Sequence, residues 1–115
     1  MNLFKKKSIE KIYRIPYSNH FRGFKHFIVN VYKNPEAEKN NRLFVNIDLS
    51  DSTFEFSCFD TEYGRKAKVL IDGKEVGTIS EPEQIESIEK GMIKEIHAHK
   101  KDNEERLTFY VKYKE

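Results

Sequence analysis

The side chains best able to do chemistry in this 115-residue chain are one cysteine, four histidines and a set of lysines, arginines and tyrosines at turns. His97 and His99 stand two apart in MIKEIHAHK (92–100), a spacing that puts both imidazoles on one face of a strand. Joined by His20 or His26, they would suit a transition metal. The spacing supplies no third ligand, and two surface histidines among Lys and Glu is the plainer reading. Cys58 lies in FSCF (56–59), where it reads as a small core residue rather than a nucleophile. Glu104 and Glu105 sit in a polar turn, and the five glycines are scattered with no phosphate-binding loop. The expectation is a protein that is not an enzyme and uses no metal or cofactor.

One cluster is different. Tyr63-Gly64-Arg65-Lys66 combines an aromatic ring, a flexible turn and two bases, so that backbone amides can also face a phosphate. The competing reading has Tyr63 packed under its loop and the bases solvated. Charge elsewhere is unevenly divided. Residues 1–34 carry eight Lys/Arg against Glu10 alone, a balance of +7, and residues 35–115 carry 13 bases and 18 acids, a balance of −5. The total of +2 therefore hides a basic first third. It reads either as a solvated arm, as an arm docked on the acidic body, or as a local surface for an anionic partner.

Length and composition narrow the class. A chain this short suits one domain. It lacks any apolar run long enough to cross a membrane, and MNLFKKKSIEK lacks the apolar stretch of a secretory signal. A single cysteine points to a reducing compartment, so a cytoplasmic location is expected. Nine Phe and six Tyr are enough to fill a small core.

The elements that must position these groups follow from periodicity. Residues 3–13 suggest a short amphipathic helix ended by Pro16, within a basic N-terminal arm over 1–23. A β-rich domain is expected over 24–115. FKHFIVNVYK (24–33) alternates as a strand, and 35–41 reads as a polar loop. RLFVNIDL (42–49) and TFEFSCF (53–59) alternate again. KAKVLI (66–71) and KEVGTI (74–79) flank Asp72–Gly73, a strong hairpin signal because both residues tolerate positive φ. Ser80 and Glu83 have the spacing of a capping box, Pro82 suits a first turn and Gly91 a stop, so a helix is expected over 81–90. Residues 92–100 and 106–113 make a closing hairpin. The fold class is a β-rich α+β domain: a small barrel or rolled antiparallel sheet of six or seven strands, one inserted helix and a possible N-terminal helix.

The run FDTEYGRKAKVLIDGKEVGTIS (59–80) resembles the HIRAN domain. Tyr63, Ala67 and Val76-Gly77-Thr78-Ile79 correspond to the family's Tyr, Ala and Val-Gly-x-Ile, and the helix and two closing strands follow in the family's order. The chain departs from the pattern at Thr61-Glu62, at Gly64, at Lys68 and at Thr78. The resemblance implies a small β-barrel of bacterial or phage origin that binds DNA, single strands and free 3′ ends in particular. Such binding needs a basic groove along the backbone and aromatic faces for the bases. Tyr32, Tyr63 and Tyr110 are then the candidate stackers, and Lys25, Lys33, Arg65, Lys66 and Lys68 the candidate phosphate contacts. The alternative is a protein-interaction module, a homodimer formed through the N-terminal arm or an exposed edge strand.

Overall fold

In the computed structural model, which describes residues 10–115, seven strands and two helices follow in the order β1 (Lys11–Ile15), β2 (Lys25–Phe27), α1 (Pro35–Leu43), β3 (Phe54–Thr61), β4 (Gly64–Ile71), β5 (Lys74–Ile79), α2 (Pro82–Glu89), β6 (Ile93–Lys100) and β7 (Leu107–Tyr113). The strands form two antiparallel sheets, β1-β3-β4-β5 and β2-β7-β6. Alternation explains why they pack face to face. Phe54, Phe56, Cys58, Ala67, Val69 and Ile71 point inward from the first sheet, and Phe27, Ile96, Phe109 and Val111 point inward from the second. The rings of Phe27 and Phe56 meet across the interface, 6.1 Å between centroids.

Two isolated bridges turn this sandwich into a roll. Just after β1, Tyr17 pairs in parallel with Ile96 of β6; just after β2, Asn30 pairs antiparallel with Thr78 of β5. The strand order therefore closes on itself through two narrow seams. At the first, the Ser18 amide donates to the Ile96 carbonyl at 2.8 Å and the Ile96 amide to the Pro16 carbonyl at 2.9 Å. At the second, Asn30 and Thr78 exchange both backbone bonds at 2.8 Å. Gly77 makes the second seam possible. A Cβ built there would stand 2.3 Å from Val29 Cγ1 and 3.1 Å from the Asn30 carbonyl oxygen, so only a bare backbone lets the crossing chain approach.

Several elements match the sequence reading. The β4–β5 hairpin turns on Asp72 and Gly73, with φ of 52° and 81°. The helix expected over 81–90 is α2, and Gly91 with φ 66° follows it. Its capping box is not made. Glu81 is the N-cap and offers no side-chain bond, while the Ser80 hydroxyl accepts instead from Lys66.

Four expectations fail locally. Lys11, Ile12 and Tyr13, expected at the end of a helix over 3–13, belong to β1, which pairs with β3, and the rest of that expected helix lies outside the described residues apart from Glu10. Within 24–33 only Lys25–Phe27 is a strand. The expected loop at 35–41 belongs to α1. Asn34 caps it by accepting from the Ala37 amide, Pro35 opens it, and Glu36 and Glu38 sit where the helix dipole favours negative charge. The strand expected over 42–49 is the end of that helix and the turns after it. There the apolar residues do not alternate: Phe44 and Leu49 are buried, and Leu43 and Ile47 are exposed.

α1 is fastened by amides rather than by a broad apolar face. Asn40 donates to the Glu75 carbonyl, and Asn41 to the Val76 carbonyl, both at 2.9 Å. The Asn41 oxygen accepts from the Leu107 amide at 2.8 Å. Asn41 is only 2% exposed and ties one helix to both sheets.

Candidate nucleic-acid interface

The second seam positions three of the eight residues singled out above. Because Asn30 is pinned to Thr78, the next residues are carried over the outer side of β5. Lys33 then reverses the chain with φ 56°, leaving Tyr32 78% exposed. Across from it, the outward positions of β4 alternate with the core and carry Lys66 and Lys68. A groove of about 400 Å³ results, lined by Asn30, Tyr32, Lys33, Asn34, Lys66, Thr78 and Ser80. No carboxylate is among its lining residues, and the Glu75 carboxylate accepts from the Asn34 side-chain amide at 2.7 Å. Lys33 Nζ stands 5.4 Å from the Tyr32 ring centroid, and Lys66 Nζ donates to the Ser80 hydroxyl at 3.1 Å.

Lys68 is the next outward residue along β4, with Thr78 as its cross-strand neighbour. Its ammonium lies 5.2 Å from the Phe59 ring centroid. The groove therefore presents two lysines directly, with a third beside it, and one exposed aromatic face. A phosphodiester strand needs those parts: cations for the backbone and a ring on which a base can stack.

The other candidates lie elsewhere. Arg65 is engaged by carboxylates, 2.7 Å from Glu89 and 2.8 Å from Asp60. Its hydrogen bonds to Glu89 and Asp60 raise its pKa further, so its charge is permanent but already matched. Tyr63 is 84% exposed at the β3–β4 turn, so it does not pack under its loop. Lys25 and Tyr110 belong to the second sheet, on β2 and β7. Tyr110 is half-buried and stacks on His99, with centroids 5.3 Å apart at 9°. The basic first third is likewise dispersed. Arg14 on β1 pairs with Glu55 at 3.1 Å, Lys33 enters the groove, and Lys5, Lys6 and Lys7 lie outside the described residues.

Asn30, Asn34, Thr78 and Ser80 were missed as groove residues. Their side chains carry no motif, and what brings them together is the pairing of Asn30 with Thr78, which periodicity does not encode. A larger groove of about 590 Å³ adjoins the other side of the Tyr32–Lys33 turn, lined also by Glu38, Arg42, Glu104, Glu105 and Arg106. Its three carboxylates offset its cations, which makes it a poorer track for a phosphate backbone.

Cys58 is fully buried on β3, and burial pushes its thiol pKa up to about 11, far from a reactive thiolate at neutral pH. Among the described residues, no group of three or more His, Cys, Asp or Glu side chains is arranged to hold a metal ion. No described helix is long and apolar enough to cross a membrane. No family model, curated protein or solved structure matches the chain.

Proposed function

We propose that this protein is a non-catalytic module that binds single-stranded DNA in the groove along the second seam, a role like that of the HIRAN domain it resembles. The observation that carries this reading is the exposed Tyr32 ring, with Lys33 beside it and Lys66 in the same groove, among lining residues that include no carboxylate. In this reading Lys33 and Lys66 neutralise neighbouring phosphates, Lys68 contacts the next one, and one base stacks on Tyr32. Ser80, Thr78 and Asn30 offer hydrogen bonds to the sugar-phosphate backbone without choosing a sequence. Arg65, Tyr63, Lys25 and Tyr110 have no part in it.

Fluorescence anisotropy with a short labelled single strand at low salt tests the proposal. Binding is expected to weaken with added salt as about two to three counterions are released. Tyr32→Ala should cost about 1–3 kcal/mol of binding free energy, the usual worth of one stacked base. Lys33→Ala with Lys66→Ala should weaken binding further and flatten the salt dependence, whereas Arg65→Ala should leave affinity unchanged. Absence of binding to single strands at high micromolar protein would sink the reading.

A second reading has its own observation. Ile12 is exposed on β1, which pairs with β3 alone among the described strands. Such an edge suits addition of a strand from a second copy. Light scattering across protein concentration tests this, and a monomer at every concentration would exclude it.

A further inference from the structure

The first seam is built around an imidazole. His97 sits at the middle of β6, on the outward face, in a row with Tyr110 of β7 and His26 of β2. Its Nδ1 is 2.7 Å from the Ser18 carbonyl oxygen. A carbonyl can only accept, so Nδ1 carries the hydrogen and Nε2 is where any added proton must go. The chain segment that Ser18 belongs to, residues 16–24, lies over this ring. Phe21 stacks on His97 at 4.1 Å and 3° from parallel, and Tyr17 stacks on it at 5.5 Å and 24°. Tyr17 also donates its hydroxyl to the Ala98 carbonyl at 3.1 Å. On β6 this strap is held by two backbone bonds, the Tyr17 hydroxyl and the His97 ring, while Tyr17 also stacks on Phe54 and the Asn19 amide donates to the Ser50 hydroxyl at 2.8 Å.

We propose that the first seam is an acid-sensitive latch: protonation of His97 releases residues 16–24 from β6 while the rest of the fold stays closed. The strap buries the ring away from water, and a charged imidazolium regains its hydration only when the strap lifts. His99, on the same strand face with its ring centroid 5.3 Å away, adds to the penalty through like charge. The Nδ1 of His99 is itself buried without a hydrogen-bond partner.

The other titratable and charged groups around this face are Glu95 on β6, Tyr110 and Lys112 on β7, and His26 on β2. The strap itself contributes Tyr17, His20 and Arg22, and Asp48 approaches Tyr17 from the loop after α1. Burial, with the neighbouring His99, opposes a cation at His97 and outweighs the Ser18 carbonyl that favours one, so the His97 pKa lies below the ordinary 6.5.

Hydrogen exchange of the full chain tests the latch, compared at about pH 7.5 and about pH 5.5 and normalised to intrinsic rates, so that the window brackets imidazole titration. The amides of Ser18 and Ile96, which close the seam, should lose protection severalfold at the lower pH. The β3–β4 ladder should not. His97→Gln keeps a donor for the Ser18 carbonyl but cannot titrate, and its seam should show no such loss. Equal protection at both pH values in the natural chain, or the same loss in His97→Gln, overturns the proposal. Should His97→Gln fail to fold, Phe21→Leu retains the imidazole under a weaker strap. It must show the loss from a lower starting protection, and a pH-independent seam in it is equally fatal to the idea.

Discussion

The two seams close the same roll by different means. The second, at Asn30 and Thr78, is fixed by shape: Gly77 removes a side chain so that two backbones can touch, and Asn41 anchors the adjoining helix to β5 and β7. The first, at Tyr17 and Ile96, is held by rings, with an ionisable imidazole at the centre. A steric closure is insensitive to solution conditions, whereas one built on a titratable ring is not. The candidate binding groove lies on the steric seam. On the two proposals made above, binding and responsiveness fall to opposite closures of one small fold.

Mutation can break this contrast. The largest effect is expected at the second seam from Asn41→Ala, which strands the Val76 carbonyl and the Leu107 amide inside the protein. Each orphaned group costs about 1–3 kcal/mol, so a loss of about 3 kcal/mol is expected in urea denaturation, equal at neutral and mildly acid pH. Gly77→Ala comes next. Its methyl would overlap Val29 and crowd the Asn30 carbonyl, and overpacking of this kind costs about 1–3 kcal/mol. It should also weaken DNA binding by shifting Tyr32 and Lys33, an effect that Asn41→Ala shows only in proportion to unfolding.

The smallest effect belongs to the first seam, and pH reveals it. The folded state lowers the His97 pKa, mainly through burial, so the unfolded chain binds the proton more readily. The stability contributed is complete above the ordinary value of 6.5 and is lost as pH falls through the lower folded value. The urea midpoint should therefore drift downward in that window, and His97→Gln should flatten the drift. Asp48 gives a separate acid limb. Bonds from the Ser50 hydroxyl and amide lower its pKa from 3.8, so its share disappears only in the carboxylate range. A drift confined to the carboxylate range, with none in the window just below 6.5, would remove the distinction between the seams.

Much of the fold was legible because it is local. The β3–β4–β5 meander follows from alternation and from Asp72–Gly73, and α2 from Pro82, Ile85 and Gly91. α1 was hidden by a misleading pattern: Leu43, Val45, Ile47 and Leu49 alternate in sequence, but Asn34 and Pro35 had already begun a helix. Both carried the signal in plain view, as cap and first-turn proline. The capping box at Ser80 and Glu83 is not made because the helix begins one residue later, with Glu81 as its N-cap, and the Ser80 hydroxyl accepts from Lys66. The groove was half legible. Residue type alone picked out Tyr32, Lys33, Lys66 and Lys68, and it picked out Arg65 and Tyr110 equally. Only tertiary partners, Glu89 and Asp60 for one and His99 for the other, separate them.

The buried Cys58 has a practical consequence. It is the chain's single thiol, on β3 between the ladders that join β3 to β1 and to β4. An alkylating reagent can reach it only when the first sheet parts, so labelling keeps time for that event. Release of the strap alone leaves the clock stopped, and thiol labelling set beside amide exchange then distinguishes a lifted strap from an opened protein.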